Sequence, residues 1–171
     1  MEQPAGNKIT GNPSSHPALS VKWVEDFPDI PLNRNEAYKL RVTSKGVEIE
    51  AITETGVYRA IQTLRQLTEK KGNGIAITGC EITDWPAFRI RGFMQDVGRT
   101  YISTDELKRE IAILARYKIN VFHWHLTENQ AWRLQSKVFP MLNDSVNTTR
   151  QPGKYYTLEE ARELAAFCKQ H

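Results

Sequence analysis

Tyr117-Lys118-Ile119-Asn120-Val121-Phe122-His123-Trp124-His125-Leu126-Thr127-Glu128-Asn129-Gln130-Ala131-Trp132-Arg133 is the stretch that decides the fold. Within it, Asn120 to Leu126 reads as a strand. A helical pattern precedes it: Ser103 makes a capping box with Glu106, and Leu107, Ile111, Leu114 and Ala115 form a stripe on one face. Further upstream, Phe88 to Asp96 is a second strand candidate. Downstream, Thr157 and Glu160 repeat the capping box, and Leu158, Ala161, Leu164, Ala165 and Cys168 line another helix. Strand, helix, strand, helix implies parallel strands joined by right-handed crossovers, an α/β arrangement. The connection from Thr127 to Tyr156 far exceeds the usual length of about two to six residues, and loops of that size commonly carry function.

The sequence before Asp84 has a different pattern. Leu19, Val21 and Trp23 alternate with polar residues, as do Tyr38, Leu40 and Val42, so both runs predict strands with one apolar face. Thr43-Ser44-Lys45-Gly46 supplies a turn, and Val47, Ile49 and Ala51 alternate against Glu48 and Glu50, which predicts a hairpin. The period then changes. Val57, Ala60, Ile61, Leu64 and Leu67 recur at helical spacing, in a helix expected to end in Lys70-Lys71-Gly72-Asn73-Gly74. Ile75 to Ile82 predicts one more strand. The expected organisation is a loose arm over 1–17, a small α+β domain with an antiparallel-type sheet over 18–84, and a strand-helix domain over 85–171, with the boundary near Asp84-Trp85-Pro86. Two parallel strands leave polar edges unpaired, so the last domain reads as incomplete and open to self-association.

Composition narrows the function classes. The 171 residues are 40% hydrophobic and 25% charged, as expected of a globular protein. The 23 Lys and Arg are scattered among 20 Asp and Glu, for a formal charge of +3, which lends nucleic-acid binding no support. No run approaches the roughly 20 apolar residues of a membrane span, and Met1-Glu2-Gln3-Pro4 lacks the apolar core of a signal peptide. Cys80 and Cys168 lie far apart without metal-ligand spacing, so buried free thiols are expected, with no disulfide framework and no zinc site.

Two long stretches carry a family resemblance. Asp84-Trp85-Pro86-Ala87-Phe88-Arg89-Ile90-Arg91-Gly92-Phe93-Met94-Gln95-Asp96-Val97-Gly98-Arg99 is similar to the opening barrel strand of the family 20 glycoside hydrolases, the β-N-acetylhexosaminidases. The stretch from Tyr117 to Arg133 resembles their second strand and the loop after it. Glu36-Ala37-Tyr38-Lys39-Leu40, and Gly56 through Gln62-Thr63-Leu64-Arg65-Gln66-Leu67, resemble the α+β domain that precedes that barrel. The resemblance implies the start of a (β/α)8 TIM barrel. It implies retaining removal of terminal β-linked N-acetylglucosamine or N-acetylgalactosamine, with the sugar's own acetamido oxygen as nucleophile. It implies no cofactor, a carbohydrate partner, and work outside the cytoplasm, in an extracellular or periplasmic space.

In the family an adjacent Asp and Glu, after a later strand, orient the acetamido group and protonate the leaving oxygen. Asp105-Glu106 has a different setting, the first turn of a helix, where carboxylates favour the macrodipole. No catalytic acid is therefore assigned, and the chain by itself is expected to be inactive. The residue matching the family's sugar-binding arginine is Arg99, whose fixed donors suit the 3- and 4-hydroxyls. A rim-stabilising ion pair with Asp96 or Glu128 is the alternative. Glu128-Asn129 departs from the family's two consecutive Asp, which leaves Glu128 either a sugar contact or an orienter of Arg99. His123 and His125 alternate on a strand, where two imidazoles can share a metal, so the alternative function is a metal-dependent barrel hydrolase, with a non-catalytic carbohydrate-binding or interaction module as the third class. The resemblance instead implies supporting histidines and no metal. Trp85, Trp124 and Trp132 offer faces for sugar stacking or for packing. Arg99 and Glu128 are expected at the same end of two neighbouring parallel strands.

Overall fold

The computed structural model describes residues 8–10 and 18–171. The chain divides into two compact units, Met1–Arg89 and Ile90–His171. The first unit holds strands β1 (Lys8–Thr10), β2 (Ala18–Trp23), β3 (Tyr38–Thr43) and β4 (Gly46–Ala51), helix α1 (Glu54–Gln66), and strands β5 (Thr68–Lys71), β6 (Gly74–Thr78) and β7 (Cys80–Asp84). β3 and β4 form the expected hairpin, with Leu40 opposite Ile49 and Val42 opposite Val47. Their alternation is also a burial pattern. Tyr38, Leu40, Val42, Val47, Ile49 and Ala51 point into the core beneath α1, which adds Ala60, Val57, Ile61 and Leu64. The turn closes on Gly46 at φ 148°, and a Cβ there would meet the Ala18 carbonyl oxygen at 2.5 Å, so only glycine fits.

Several expectations change. The four-stranded sheet runs β2-β4-β3-β7, and β2 lies parallel to β4, so the sheet is mixed rather than wholly antiparallel. Leu19, Val21 and Trp23 sit on the same face as Val47, Ile49 and Ala51, yet they stay exposed, at 54%, 38% and 57%. The reason is position: β2 is the edge, and α1 packs over β3 and β4. The helix stops at Gln66, and Thr68–Lys71 turns back through a hairpin with β6, since Gly72 at φ 58° makes the turn. Ile75 to Ile82 is two strands, not one. β6 and β7 meet at Gly79 and belong to different sheets. Within the stretch read as an arm, Lys8–Thr10 pairs antiparallel with β6; residues 1–7 and 11–17 lie outside the described residues.

The second unit holds β8 (Gly92–Asp96), α2 (Thr104–Arg116), β9 (Val121–His125), the short hairpin β10 (Thr127–Glu128) and β11 (Ala131–Trp132), and α3 (Leu158–Gln170). β8 and β9 are parallel, with Gly92 beside Val121 and Asp96 beside His125. Phe88 to Arg91 stays outside the strand. Both capping boxes form: Ser103 and Thr157 accept from the backbone N–H groups of Glu106 and Glu160, whose carboxylates return the bond. Phe122, Trp124 and Leu126 pack with Val97, Leu107, Ile111, Tyr156 and Leu164, so the helices cover that face of the strand pair. Of the stripe expected on α3, Leu164 is buried and Ala165 is exposed; on α2, Leu114 is half-buried. The long connection after β9 is built, with 3-10 turns at Pro140–Asn143 and Ser145–Asn147. Cys80 and Cys168 are free thiols, half-buried rather than fully buried, and burial raises both above the usual thiol range.

Candidate functional site

The opposite face of the β8–β9 pair carries Met94 and Asp96 on one strand and Val121, His123 and His125 on the other, because alternate residues of a strand share a side. Just past the ends of these strands come Arg99 and Glu128. The chain turns after Asp96 because the Val97 and Gly98 N–H groups both donate to the His125 carbonyl, at 3.0 and 3.2 Å. Arg99 then donates its own backbone N–H to Asp96 Oδ1 at 3.1 Å. Its guanidinium bonds Asp96 Oδ2 through Nη1 and Glu128 Oε1 through Nη2, the latter at 2.8 Å. His125 Nε2 meets the same Glu128 oxygen at 3.0 Å. Arg99 and Glu128 therefore stand at the same end of two neighbouring parallel strands, and the rim ion pairs weighed as the alternative role for Arg99 both form.

Charge balance follows from this geometry. Burial works against ionised Asp96, but the hydrogen bonds and charge of Arg99 outweigh it and hold the carboxyl below its ordinary range. Glu128 is held low by its bond to His125 first, then by Arg99. Arg99 is raised, chiefly by its hydrogen bond to Asp96. Its side chain remains 52% exposed, so a cation clamped on one side keeps donors open to a ligand on the other.

The metal reading changes partners. Among the described residues, the metal-ligand type atoms that gather within 4.8 Å belong to Asp96, His125 and Glu128, without His123. The ring of His123 lies edge-on to His125 at 5.7 Å, and the side chain is exposed. Arg99 pairs with both carboxylates of that cluster, one cation for two anions, and a dication would have to compete with its guanidinium for the same oxygens. Of the tryptophans, Trp124 packs against Tyr156 at 4.5 Å and Trp85 against the Phe27, Ile30 and Ala37 cluster, so both serve packing. Trp132 on β11 is 40% exposed.

Two residues of the site escaped sequence reasoning. Gly98 is closely packed: a Cβ there would lie 3.0 Å from Glu128 Cβ and 3.1 Å from its backbone nitrogen, so Glu128 would have to give way. Arg133 is completely buried, and its donors meet the carbonyls of Val97, Gly98, Arg150, Gln151 and Lys154. Both stand in the quoted motifs. Nothing in a one-dimensional pattern, however, distinguishes a buried arginine bonded to carbonyls from a surface one.

Comparison with known proteins places this geometry in a family. Residues 88–171 match "Glycosyl hydrolase family 20, catalytic domain" and residues 4–85 match "Glycosyl hydrolase family 20, domain 2". The chain belongs to glycosyl hydrolase family 20. A beta-hexosaminidase of Porphyromonas gingivalis is 39% identical over 97% of this chain, and one of Vibrio furnissii is 37% identical over 77%. The fold is shared with a family 20 exo beta-N-acetylglucosaminidase of Vibrio harveyi, solved with N-acetylglucosamine (TM-score 0.77, 33% identity, 89% of this chain and 25% of that one). It is also shared with a mutant Streptomyces plicatus beta-hexosaminidase in complex with GlcNAc (TM-score 0.77, 30% identity, 91% of this chain and 32% of that one). This family 20 chain spans 21% of the length of the Porphyromonas relative and 24% of the Vibrio furnissii one.

Proposed function

We propose that this chain is the N-terminal portion of a retaining exo-β-N-acetylhexosaminidase, comprising the α+β domain and the first two strand-helix units of a (β/α)8 barrel. Arg99 is its sugar-gripping residue. The observation that supports this is the Arg99 guanidinium at the ends of two parallel strands, tied to Asp96 and Glu128 and half open to solvent. Ligands of such barrels bind at the C-terminal ends of the strands. A guanidinium held by two carboxylates cannot swing, and its remaining donors have a fixed direction in which to meet neighbouring hydroxyls of a terminal sugar.

The chemical step belongs to groups beyond these. In the substrate-assisted route the acetamido oxygen attacks the anomeric carbon while a carboxylic acid protonates the leaving oxygen, and water later opens the oxazolinium-like intermediate. In this chain Asp96 and Glu128 are both held ionised by Arg99 and His125, which suits positioning and not proton donation at neutral pH. Glu128 reaches Arg99 directly, and that contact favours its role as orienter. The chain assayed alone is therefore expected to give no turnover of a chromogenic N-acetylglucosaminide.

The test of the sugar site is an NMR titration of the 171-residue chain with N-acetylglucosamine and N-acetylgalactosamine. The Arg99 side-chain signal and the backbone amides of Val97, Gly98 and Glu128 shift on addition of either sugar, and Arg99→Lys abolishes the amide response. A sugar response that survives in Arg99→Lys would remove Arg99 from the site. Turnover by the chain alone that disappears in Asp96→Asn or Glu128→Gln would relocate the chemistry to these carboxylates.

A further inference from the structure

We infer that Arg133 is a positioning residue that fixes the backbone from which Arg99 projects, and so sets the aim of the sugar-binding guanidinium; the second half of this statement rests on the function proposed above. The argument begins with donor counting. A guanidinium has five N–H donors in a rigid plane. Nε donates to the Val97 carbonyl at 3.0 Å; Nη1 donates to Gln151 at 3.2 Å and Lys154 at 2.7 Å; Nη2 donates to Gly98 at 3.5 Å and Arg150 at 2.8 Å. All five partners are main-chain carbonyls, and the residue is 0% exposed.

The Val97–Gly98 segment is thereby held from both sides. Its N–H groups donate to the His125 carbonyl, and its carbonyls accept from Arg133. The next residue is Arg99. Arg133 is itself immobilised, because its N–H donates to Leu126 at 2.9 Å and its carbonyl accepts from Tyr156 at 2.7 Å. Tyr156 is wedged against Trp124 and Tyr101 and donates its hydroxyl to Ile102 at 2.6 Å. Three separate parts of the chain, 97–98, 150–151 and 154, thus converge on one planar group.

Stability alone is a poor reason for such a group. Burying a charge without a carboxylate partner is costly, and burial presses the Arg133 guanidinium below the usual arginine range. What the arrangement provides is direction. The five donors lie in one plane, so the carbonyls of Val97 and Gly98 can be satisfied in one geometry only. A lysine at this position offers three donors from a single point, so at least two of the five carbonyls lose their bond to residue 133.

The experiment is residue-resolved amide hydrogen exchange on the 171-residue chain, wild type against Arg133→Lys, followed by titration with N-acetylglucosamine. The inference expects the Val97, Gly98 and Arg99 amides to exchange faster by on the order of tenfold or more in Arg133→Lys, while α2 and β3 keep their protection. Loosening confined to 150–154, with 97–99 as in wild type, would make Arg133 a loop clasp and overturn it. The midpoint of the sugar response at Arg99 should rise at least about threefold in the variant; an unchanged midpoint would show that the aim of Arg99 does not depend on Arg133. If the wild-type chain ignores the sugar altogether, the sugar-site reading fails, and the exchange data still decide the anchoring. Should Arg133→Lys not fold, the wild-type side chain answers: resolved, slowly exchanging Arg133 Nη–H signals support the inference, and a single rapidly averaged signal overturns it.

Discussion

The two units of this chain are ordered by different means. In the first, Gln62 and Arg59, the latter paired with Glu36, are buried beside side chains that are otherwise apolar or singly polar: Leu40 and Ile49 from facing strands, Ile30, and Tyr38, whose hydroxyl meets Thr63 at 2.6 Å and Asp84 at 2.8 Å. In the second, the largest fully buried side chain is Arg133, and polar hooks shape the long connection. Asn143 bonds the carbonyls of Trp132 and Leu134 and accepts from the Ser136 N–H, while Gln135 accepts from the first N–H of α3. An apolar core tolerates repacking, since hydrophobic contact has little direction. Polar hooks do not, because each bond has an angle and an unmet buried acceptor costs free energy. The unit that carries the candidate site adds to its apolar core a set of directional bonds around Arg133 and Asn143, which is what a fixed guanidinium requires.

This contrast can be tested from both sides. Ile49→Ala in the first unit should cost about 2–5 kcal/mol, because Ile49 is fully buried between α1 and the hairpin; Ile49→Val should cost about 0.5–1.5 kcal/mol. Urea unfolding followed at the Tyr38 ring checks both, and a near-neutral Ile49→Ala would mean that this core is not the organiser. Gly98→Ala probes the second unit, where the added carbon meets Glu128 at 3.0 Å. A cost of about 1–3 kcal/mol is expected, together with displacement of Glu128 from Arg99, visible as loss of their contact in a crystal structure. Ser103→Ala and Thr157→Ala each remove an N-cap and should cost about 1 kcal/mol, with exchange rising first in the opening turns of α2 and α3.

The smallest effect concerns pH. Asp96 and Glu128 have folded-state values below their unfolded ones, so their contribution to stability is complete above the unfolded carboxylate range, about pH 4, and is lost as pH falls through the folded values. Carboxyl carbon titrations should show both midpoints below that range. Arg99→Ala should move Asp96 upward, and His125→Ala should move Glu128 upward. Midpoints at ordinary carboxylate values in the wild type would mean that the clamp on Arg99 is open in solution.

Much of this was legible in the residues. Period two over Tyr38 to Val42 and Val47 to Ala51 gave both the hairpin and its buried face, since β3 and β4 lie under a helix. The same period over Leu19 to Trp23 gave the strand and misjudged its burial, because alternation records which way side chains point and not whether an element lies above them. Ser103 with Glu106 and Thr157 with Glu160 marked their helix starts correctly, as capping is a local exchange of bonds. The strand Thr68–Lys71 was hidden by Lys70 and Lys71, which give no apolar period, and its partner was read as the start of one long strand from Ile75 to Ile82. At the site, Arg99 and Glu128 were found through family motifs. Arg133 and Gly98 were not, since a buried guanidinium and a missing Cβ take their meaning from carbonyls and side chains distant along the chain.

The most direct measurement is kcat/KM for a chromogenic N-acetylglucosaminide in a protein that carries this chain followed by a complete barrel, comparing Arg99 with Arg99→Lys. A point-charge ammonium cannot keep Asp96, Glu128 and two sugar hydroxyls in one plane of donors, so a loss on the order of 10² or more is expected, in kcat as well as in KM. Near wild-type kcat/KM in Arg99→Lys would contradict the account and leave Arg99 as a rim ion pair between Asp96 and Glu128.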